Sequence, residues 1–250
     1  MEKLIGLWGY SRSLSTAFER MMIERGDFEI FHEPFAYYYS KKHKGQQQFN
    51  LSPPRIIEQL DNPASYNQIK NLLINSSKSK NTFFKELSFF VSNEFIQDTD
   101  FIKKITNTFI IRDLKKTIIS LAKLSKKLNF NSLCIGIREQ YQIFRAVQEK
   151  TGTIPVVIDA DDLVNNPEKI IRAYCKAVDI PYLSTALQWK PCFDSRWEIF
   201  KIAFQEVGES SGFKKTESTS FDMLYNSQTL LELYENNKHY YKFLSQYRLT

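Results

Sequence analysis

The chain has 250 residues, of which 42% are hydrophobic and 14% aromatic, so it can bury a substantial core and is not disordered throughout. The formal net charge is +6, but the basic residues are scattered without a long run, which argues against nucleic acid as a partner. The three cysteines have neither metal-ligand nor disulfide-framework spacing, and no segment approaches 18 consecutive apolar residues, so we expect a cytoplasmic protein without a membrane span.

The chain begins with a predicted strand, loop and helix. The apolar run 4–8 predicts a buried strand, and residues 11–15, which are rich in small hydroxyl side chains, predict a loop. Residues 16–24 carry apolar residues at helical spacing and predict a helix. A unit of this kind places the N-terminus of a helix where it can bind an anion.

Further apolar runs predict four more strands, separated by helices. The predicted strands are 28–31, 83–87, 108–112 and 154–158, and the predicted helices are 117–127, 132–150, 168–178 and 227–245. This alternation is typical of a three-layer α/β/α fold with a mainly parallel central sheet. We expect one domain over residues 1–250.

Two segments interrupt the alternation. Residues 36–82 are rich in Asn, Gln and Lys and predict a mobile insertion on the substrate side, with helices near 55–60 and 66–74. Residues 190–220 have a weaker pattern and predict a capping loop.

The loop between the first strand and the first helix is the first candidate site. It offers hydroxyls, one guanidinium, backbone amides and a helix N-terminus, which together suit a phosphate, although the Walker A glycines and lysine are missing. The alternative is an ordinary helix with a Ser or Thr N-cap. The candidate residues are Ser11, Arg12, Ser13, Leu14, Ser15 and Thr16.

The second candidate site follows the strand 108–112. Arg112 ends this strand, at the edge where open α/β sheets bind ligands, and Ser120 follows eight residues later, about two helical turns on. The two side chains could hold one phosphate from two sides. The alternative is a surface arginine paired with Asp113.

Together these segments resemble the PAPS-dependent sulfotransferases (PAPS is 3′-phosphoadenosine 5′-phosphosulfate), within the P-loop-like fold. Residues 12–16 are similar to the family's loop of type P-R-S-G-S-T, and Arg112 with Ser120 is similar to its site for the 3′-phosphate. The resemblance continues in the same order through the segments 31–35, 84–87, 158–181 and 189–213.

The chain departs from the family pattern at three positions. Tyr10 stands in place of a proline, Leu14 in place of a glycine and Leu114 in place of the proline of R-D-P. The side chain of Leu14 must not project into the phosphate cavity, and a negative φ at this residue would allow that.

The resemblance implies in-line transfer of a sulfuryl group from PAPS to a hydroxyl or amine of a small-molecule acceptor, without a metal. Arg12 would be the cation at the leaving group, while Ser13, Ser15 and Thr16 would bind the 5′-phosphate with their backbone amides. Arg112 and Ser120 would bind the 3′-phosphate. Phe213 would stack on adenine, and Lys214 would reach the 3′-phosphate. The product would be adenosine 3′,5′-bisphosphate.

The general base is predicted at the end of the second strand. Glu33 is preferred to His32, because the resemblance to carbohydrate-modifying bacterial members places a glutamate base here. Adjacent residues that leave a strand tend to point to opposite sides, so we expect only one of them to reach the acceptor. Lys85 would contact the acceptor or the transferring group, and Glu86 would orient Lys85.

Two other functions stay open at this point. A protein of the same fold could bind the nucleotide as a sensor without catalysis, or it could be a P-loop kinase-like phosphotransferase. The aromatic residues Tyr37–Tyr39, Trp189 and Trp197 either line an acceptor pocket or fill the core. The sequence indicates neither the acceptor nor the oligomeric state.

Overall fold

The computed structural model describes residues 2–43, 65–128, 133–215 and 220–250. Within these ranges all the strands belong to one sheet. The strands are β1 (Leu4–Gly9), β2 (Glu29–His32), β3 (Thr82–Leu87), β4 (Thr106–Ile111) and β5 (Val156–Asp159). Each lies within two residues of its predicted ends.

Helices connect and cover these strands. They are α1 (Ser15–Arg25), α2 (Ala36–Lys42), α3 (Tyr66–Ser76), α4 (Ser92–Phe95), α5 (Thr99–Lys104), α6 (Leu114–Leu128), α7 (Ile137–Thr151), α8 (Ala160–Asn165), α9 (Pro167–Ala177), α10 (Lys201–Gly208), α11 (Asp222–Tyr225) and α12 (Gln228–Ser245). Short 3-10 turns lie at Ser88–Phe90, Ser184–Leu187 and Ser195–Phe200. None of the helices in the described ranges is long and apolar enough to cross a bilayer.

The sheet has the order β2-β3-β1-β4-β5, and every neighbouring pair is parallel. Side chains of the central strand β1 alternate between two cores: Leu4 and Trp8 belong to one, Ile5 and Leu7 to the other. The first core is covered by α5, α6, α7 and α12, and the second by α1 and α9. The predicted three-layer α/β/α fold is therefore confirmed.

Some predicted elements have different bounds. The helix expected at 132–150 begins only at Ile137, because Gly136 has a φ of +87°, which a right-handed helix does not allow. Residues 190–220 are not a simple loop, since they contain α10, which packs against α1. In the insertion, α3 confirms the helix predicted at 66–74, whereas the helix predicted near 55–60 lies outside the described residues.

From β1 the chain continues to β2, on one side of the sheet, and from β4 it continues to β5, on the other side. The point where the strand order reverses therefore lies between β1 and β4. The crevice beyond the carboxyl ends of such a pair is where open α/β sheets bind ligands. Here the side-chain amide of Gln140, on α7, donates to the carbonyl oxygens of Trp8 (2.8 Å) and Ile110 (2.9 Å). Gln140 is fully buried, and it thereby satisfies one carbonyl on each strand where the two strands part.

Replacing Gln140 with leucine leaves both carbonyls without their donor at nearly constant volume. An unpaired buried polar group costs about 1–3 kcal/mol, so we expect Gln140→Leu to lower the free energy of unfolding by about 2 kcal/mol or more in urea titrations. The control is Gln142→Leu, a partly exposed position on the same helix. Equal unfolding midpoints for the two variants would contradict this role of Gln140.

Candidate active site

The loop after β1 folds back tightly on itself. The Ser13 amide donates to the Tyr10 carbonyl oxygen (3.1 Å), and the Tyr10 amide donates to the Ser13 hydroxyl (3.3 Å). Gly9 makes this possible, because a Cβ there would lie 2.9 Å from Cβ of Ser15 and 3.0 Å from Oγ of Ser13. Further along, the Ser11 amide donates to the carbonyl oxygen of Ile135 at 2.9 Å.

Two residues of this loop have left-handed backbone conformations. Arg12 has a φ of +65° and Leu14 a φ of +66°, while Ser13 between them does not have a positive φ. An alternation of this kind forms anion-binding concavities of backbone amides, and α1 begins directly after it at Ser15.

Leu14 therefore does not have the negative φ that the sequence analysis considered for it. Leu14 occupies the N-cap position of α1, where the chain must turn from the loop into the helix, and it adopts the conformation that glycine adopts most easily. Its side chain packs, partly buried, against the core that contains Phe18 and Met22. That packing offsets part of the backbone cost.

The second candidate site gathers around Arg112. Tyr10 holds the end of β4 in place, since its hydroxyl donates to the Arg112 carbonyl oxygen (2.6 Å) and accepts from the Arg112 amide (2.7 Å). Burial raises the pKa of the Tyr10 hydroxyl, which keeps this donor protonated. Asp113 does not pair with Arg112; its carboxylate accepts from the amide of Lys116 and caps α6.

Arg12 and Ser120 contact each other directly, which the sequence did not predict. Nε of Arg12 donates to Oγ of Ser120 (2.8 Å), and Arg112 donates to the carbonyl oxygen of Arg12 (3.1 Å). The positive φ of Arg12 turns its side chain toward α6, so the cation expected at the leaving group lies beside the residues assigned to the 3′-phosphate.

The two terminal nitrogens of the Arg12 guanidinium reach α10, which we call the cap helix. They donate to the carbonyl oxygen of Ala203 (2.8 Å) and to the carboxylate of Glu206 (3.3 Å). Burial lowers the pKa of Arg12, and the charge of Glu206 opposes this shift. The Glu206 side chain is 88% exposed, so this ion pair contributes little stability and can be exchanged for another anion.

Four ionisable side chains meet at the carboxyl ends of β2 and β3. Glu33 and Lys85 form a buried ion pair. Nε2 of His32 lies 3.9 Å from Oε1 of Glu33, while Nδ1 of His32 lies 2.7 Å from Oε2 of Glu19, a fully buried residue of α1. The other oxygen of Glu19 accepts from the indole Nε1 of Trp197 at 3.4 Å.

The expectation that His32 and Glu33 point to opposite sides is wrong. Glu33 has a φ of +42°, so the chain leaves the strand conformation at that residue and both side chains enter the same cluster. Glu86 does not orient Lys85 either. It points to the opposite face of β3, where its carboxylate accepts from the amides of Phe35 (2.7 Å) and Leu87 (2.9 Å).

The cap helix α10 also contacts the cluster of Glu19, His32, Glu33 and Lys85, which we call the second cluster. The ring of Phe204, on α10, packs edge-on against His32 with centroids 5.1 Å apart, and Nζ of Lys85 lies 5.5 Å from the Phe204 centroid. Since Ala203 and Glu206 of the same helix bind Arg12, α10 contacts both clusters at once.

Phe213 and Lys214, near the C-terminal end of the segment 190–220, take no part in the contacts of α10 with Arg12 and His32 described above. Phe213, expected to stack on adenine, packs edge-on against Trp189 at 5.4 Å, and Lys214 is exposed. Trp189, Trp197 and Tyr37 are buried.

Three features of the site were not predicted from the sequence: Glu19, Trp197 as the partner of Glu19, and Phe204. The sequence does hold a signal for Glu19: it is a charged residue at helical spacing, three positions before Met22, on the buried face of α1. Within the described ranges, no group of three or more His, Cys, Asp or Glu side chains is placed to hold a metal ion.

A three-layer parallel fold with a loop and helix N-terminus following its central strand defines a P-loop-like α/β protein. Residues 2–234 match the family model described as "Sulfotransferase domain". The chain therefore belongs to the sulfotransferase domain family, which confirms the resemblance found in the sequence.

Two curated relatives are proteins of Arabidopsis thaliana. Branched-chain-amino-acid aminotransferase-like protein 1 is 24% identical over 97% of this chain and 44% of its own length. Branched-chain-amino-acid aminotransferase-like protein 2 is 23% identical over 75% of this chain and 32% of its own length. The chain thus matches less than half the length of these relatives.

Two solved structures are similar as well. The "Sulfotransferase Domain from the Curacin Biosynthetic Pathway" aligns with a TM-score of 0.48 and 14% identity, covering 94% of this chain and 91% of that one. The "Sulfotransferase Domain from the Synechococcus PCC 7002 Olefin Synthase" aligns with a TM-score of 0.49 and 12% identity, covering 94% of this chain and 95% of that one.

The left-handed backbone at Leu14 gives a stability prediction. A residue with a Cβ pays about 1 kcal/mol or more for this conformation, which glycine avoids. We expect Leu14→Gly to be more stable than Leu14→Ala by about 1 kcal/mol in urea unfolding, although both lose the leucine packing. An alanine variant as stable as the glycine variant would show that the backbone at this position is not strained.

Proposed function

We propose that this sulfotransferase takes its sulfuryl group from PAPS and transfers it to a hydroxyl or amine of a small-molecule acceptor. One observation carries the proposal: a cationic, hydroxyl-rich cluster and a cluster of candidate bases lie at the same edge of the sheet, and α10 contacts both. The first cluster suits the phosphates of a nucleotide, and the second suits removal of a proton from an acceptor.

The loop residues fit the 5′-phosphosulfate group. The first amides of a helix have no partners within the helix, so those of Ser15 and Thr16 suit a phosphate oxygen, as do the hydroxyls of Ser11 and Ser13. The backbone of Leu14 lines the same turn. PAPS would supply the activated sulfuryl group.

The Arg112 region fits the 3′-phosphate. Nε of Arg112 is buried and lacks a hydrogen-bond partner among the described residues. Buried donors without partners are rare, and this one belongs to a guanidinium, which suits phosphate oxygens. Arg112 donates to the backbone of Arg12, whose side chain donates to Ser120, and we propose that these three residues surround one phosphate. Phe213 and Lys214 are the residues proposed for the adenosine end of the donor.

Transfer requires removal of the acceptor proton and compensation of negative charge. Lys85, buried beside Glu33 and His32, is the cation of the second cluster and would face the transferring sulfuryl group. The acceptor oxygen would attack sulfur in line, while the bond from sulfur to the 5′-phosphate oxygen breaks and its electron pair leaves with adenosine 3′,5′-bisphosphate.

The identity of the base stays a prediction. The sequence favours Glu33 over His32, but the contacts of the two side chains favour His32. The Glu33 carboxylate is engaged by the ammonium of Lys85, whereas Nε2 of His32 is 3.9 Å from its nearest acidic neighbour, Glu33. A nitrogen that far from the carboxylate is not committed to a hydrogen bond with it.

Calorimetry with adenosine 3′,5′-bisphosphate, followed by a transfer assay with labelled PAPS against a panel of acceptors, tests the proposed function. Binding together with transfer supports it. Binding without transfer to any acceptor favours the nucleotide sensor, and phosphoryl transfer from ATP with Mg²⁺ favours the kinase-like alternative.

Arg112→Ala tests the assignment of the 3′-phosphate. A charge-assisted hydrogen bond contributes about 1.5–3 kcal/mol, so we expect the Kd for adenosine 3′,5′-bisphosphate to rise roughly 10- to 150-fold and the Kd for AMP to change little. The control is Arg172→Ala, an exposed arginine paired with Glu168 on α9. Equal losses for the two nucleotides would remove the assignment.

His32→Asn and Glu33→Gln separate the two candidate bases. Loss of a general base lowers kcat by about 10²–10⁴-fold, so we expect His32→Asn to lose this much while it binds adenosine 3′,5′-bisphosphate normally. Glu33→Gln should retain more turnover than His32→Asn. The reverse order, with intact nucleotide binding in both variants, would return the role to Glu33.

A further inference from the structure

Glu19 is a fully buried carboxylate that the transfer chemistry described so far does not use. It lies on α1, inside the core that covers one face of the sheet, and a buried charge is costly unless it is paired. Both of its oxygens are engaged, one by Nδ1 of His32 (2.7 Å) and the other by the indole Nε1 of Trp197 (3.4 Å).

These contacts determine which nitrogen of His32 carries the proton. Burial by itself raises the pKa of Glu19, but the charge and hydrogen bond of His32, the charge of Lys85 and the Trp197 hydrogen bond together lower it. The indole of Trp197 can only donate and Lys85 is a cation, so the surroundings of Glu19 other than His32 also favour the ionised carboxylate. An ionised carboxylate only accepts hydrogen bonds. Nδ1 of His32 must therefore donate, and neutral His32 has its lone pair on Nε2.

We propose that Glu19, held by Trp197, is a positioning residue that keeps His32 in the tautomer able to accept the acceptor's proton at Nε2. This inference rests on the proposed function. The proton of the acceptor hydroxyl moves to Nε2 as the oxygen bonds to sulfur, and Glu19 stabilises the imidazolium that forms. Glu19 itself stays ionised and touches neither substrate nor donor.

The charges around His32 are consistent with this role. Glu19 faces it from α1, Glu33 adjoins it on its own chain segment, and Lys85 lies opposite it on β3. Phe204 of α10 presents an uncharged ring to His32, and the charged residues of that helix face elsewhere: Glu206 binds Arg12, and Lys201 lies over the ring of Phe193.

Glu19→Gln gives a sharp test because Trp197 restricts the new amide. The indole can only donate, so it holds the amide oxygen of the glutamine toward itself and leaves the amide NH₂ facing Nδ1 of His32. Nδ1 must then accept, and the proton of neutral histidine moves to Nε2. The analogous change of aspartate to asparagine in a Ser–His–Asp triad lowers kcat about 10⁴-fold through the wrong tautomer.

The first measurement is ¹⁵N NMR of labelled histidine in the free protein. The chain has three histidines, and comparison with His32→Asn assigns the signal of His32. We expect the Nδ1–H form in the wild type and the Nε2–H form in Glu19→Gln. The second measurement is kinetic: kcat should fall by about 10²–10⁴-fold, with KM for the acceptor and Kd for adenosine 3′,5′-bisphosphate nearly unchanged.

Two further variants separate positioning from a structural role. Glu24→Gln makes the same chemical change on the same helix, at a residue paired with Arg20, and should alter neither tautomer nor kcat. Trp197→Phe in the Glu19→Gln background removes the indole donor, so the amide can turn and restore part of the Nδ1–H form and of kcat. Trp197→Phe alone keeps the carboxylate and should keep the wild-type tautomer, a result that holds even if Glu19→Gln fails to fold.

Specific outcomes overturn the inference. A Glu19→Gln protein that keeps the Nδ1–H form, or that changes tautomer with undiminished kcat, contradicts the positioning role while leaving the proposed function intact. A wild type that binds adenosine 3′,5′-bisphosphate and transfers nothing to any acceptor contradicts the proposed function, and the catalytic role of Glu19 then falls with it.

Discussion

The site depends on one constraint: the backbone carbonyl groups must be satisfied where β1 and β4 separate. Where two parallel strands separate, their carbonyl groups lose their partners, and burying such groups unpaired is costly. Gln140 satisfies one carbonyl on each strand, and the Tyr10 hydroxyl joins the loop after β1 to the backbone of Arg112. The candidate loop after β1 and Arg112 after β4 are thus held relative to each other by hydrogen bonds in the core.

The second cluster depends on mutual compensation of buried charge. Glu19, His32, Glu33 and Lys85 are largely withdrawn from water, and each has a partner of opposite or complementary character within the group. Removal of one member leaves another uncompensated, which is why a conservative change can affect both stability and chemistry. The cap helix α10 completes this arrangement, since it contributes Phe204 to the cluster and binds Arg12 with its other residues.

Much of the fold followed from local sequence patterns. Short β-branched and aromatic runs predicted all five strands of the described chain, and helical spacing predicted α1, α6, α9 and α12 to within three residues. The cap was predicted less well, because α10 is short and its residues are ordered by packing against α1 rather than by their own periodicity. The loop residues and Arg112 were recognised because hydroxyls and arginine at strand ends are local signals.

The sequence by itself determined the order of strands and helices along the chain, the candidate phosphate-binding loop and the pair of candidate bases at the end of β2. Only the tertiary structure decided which of those side chains contact one another. Positive φ angles at Arg12 and Glu33 redirect both side chains, which brings Arg12 to Ser120 and places Glu33 with His32. Glu19 and Trp197 are 178 residues apart, and they meet only because α1 and the cap pack together. Backbone handedness and long-range packing depend on the whole fold, so no local spacing in the chain predicts them.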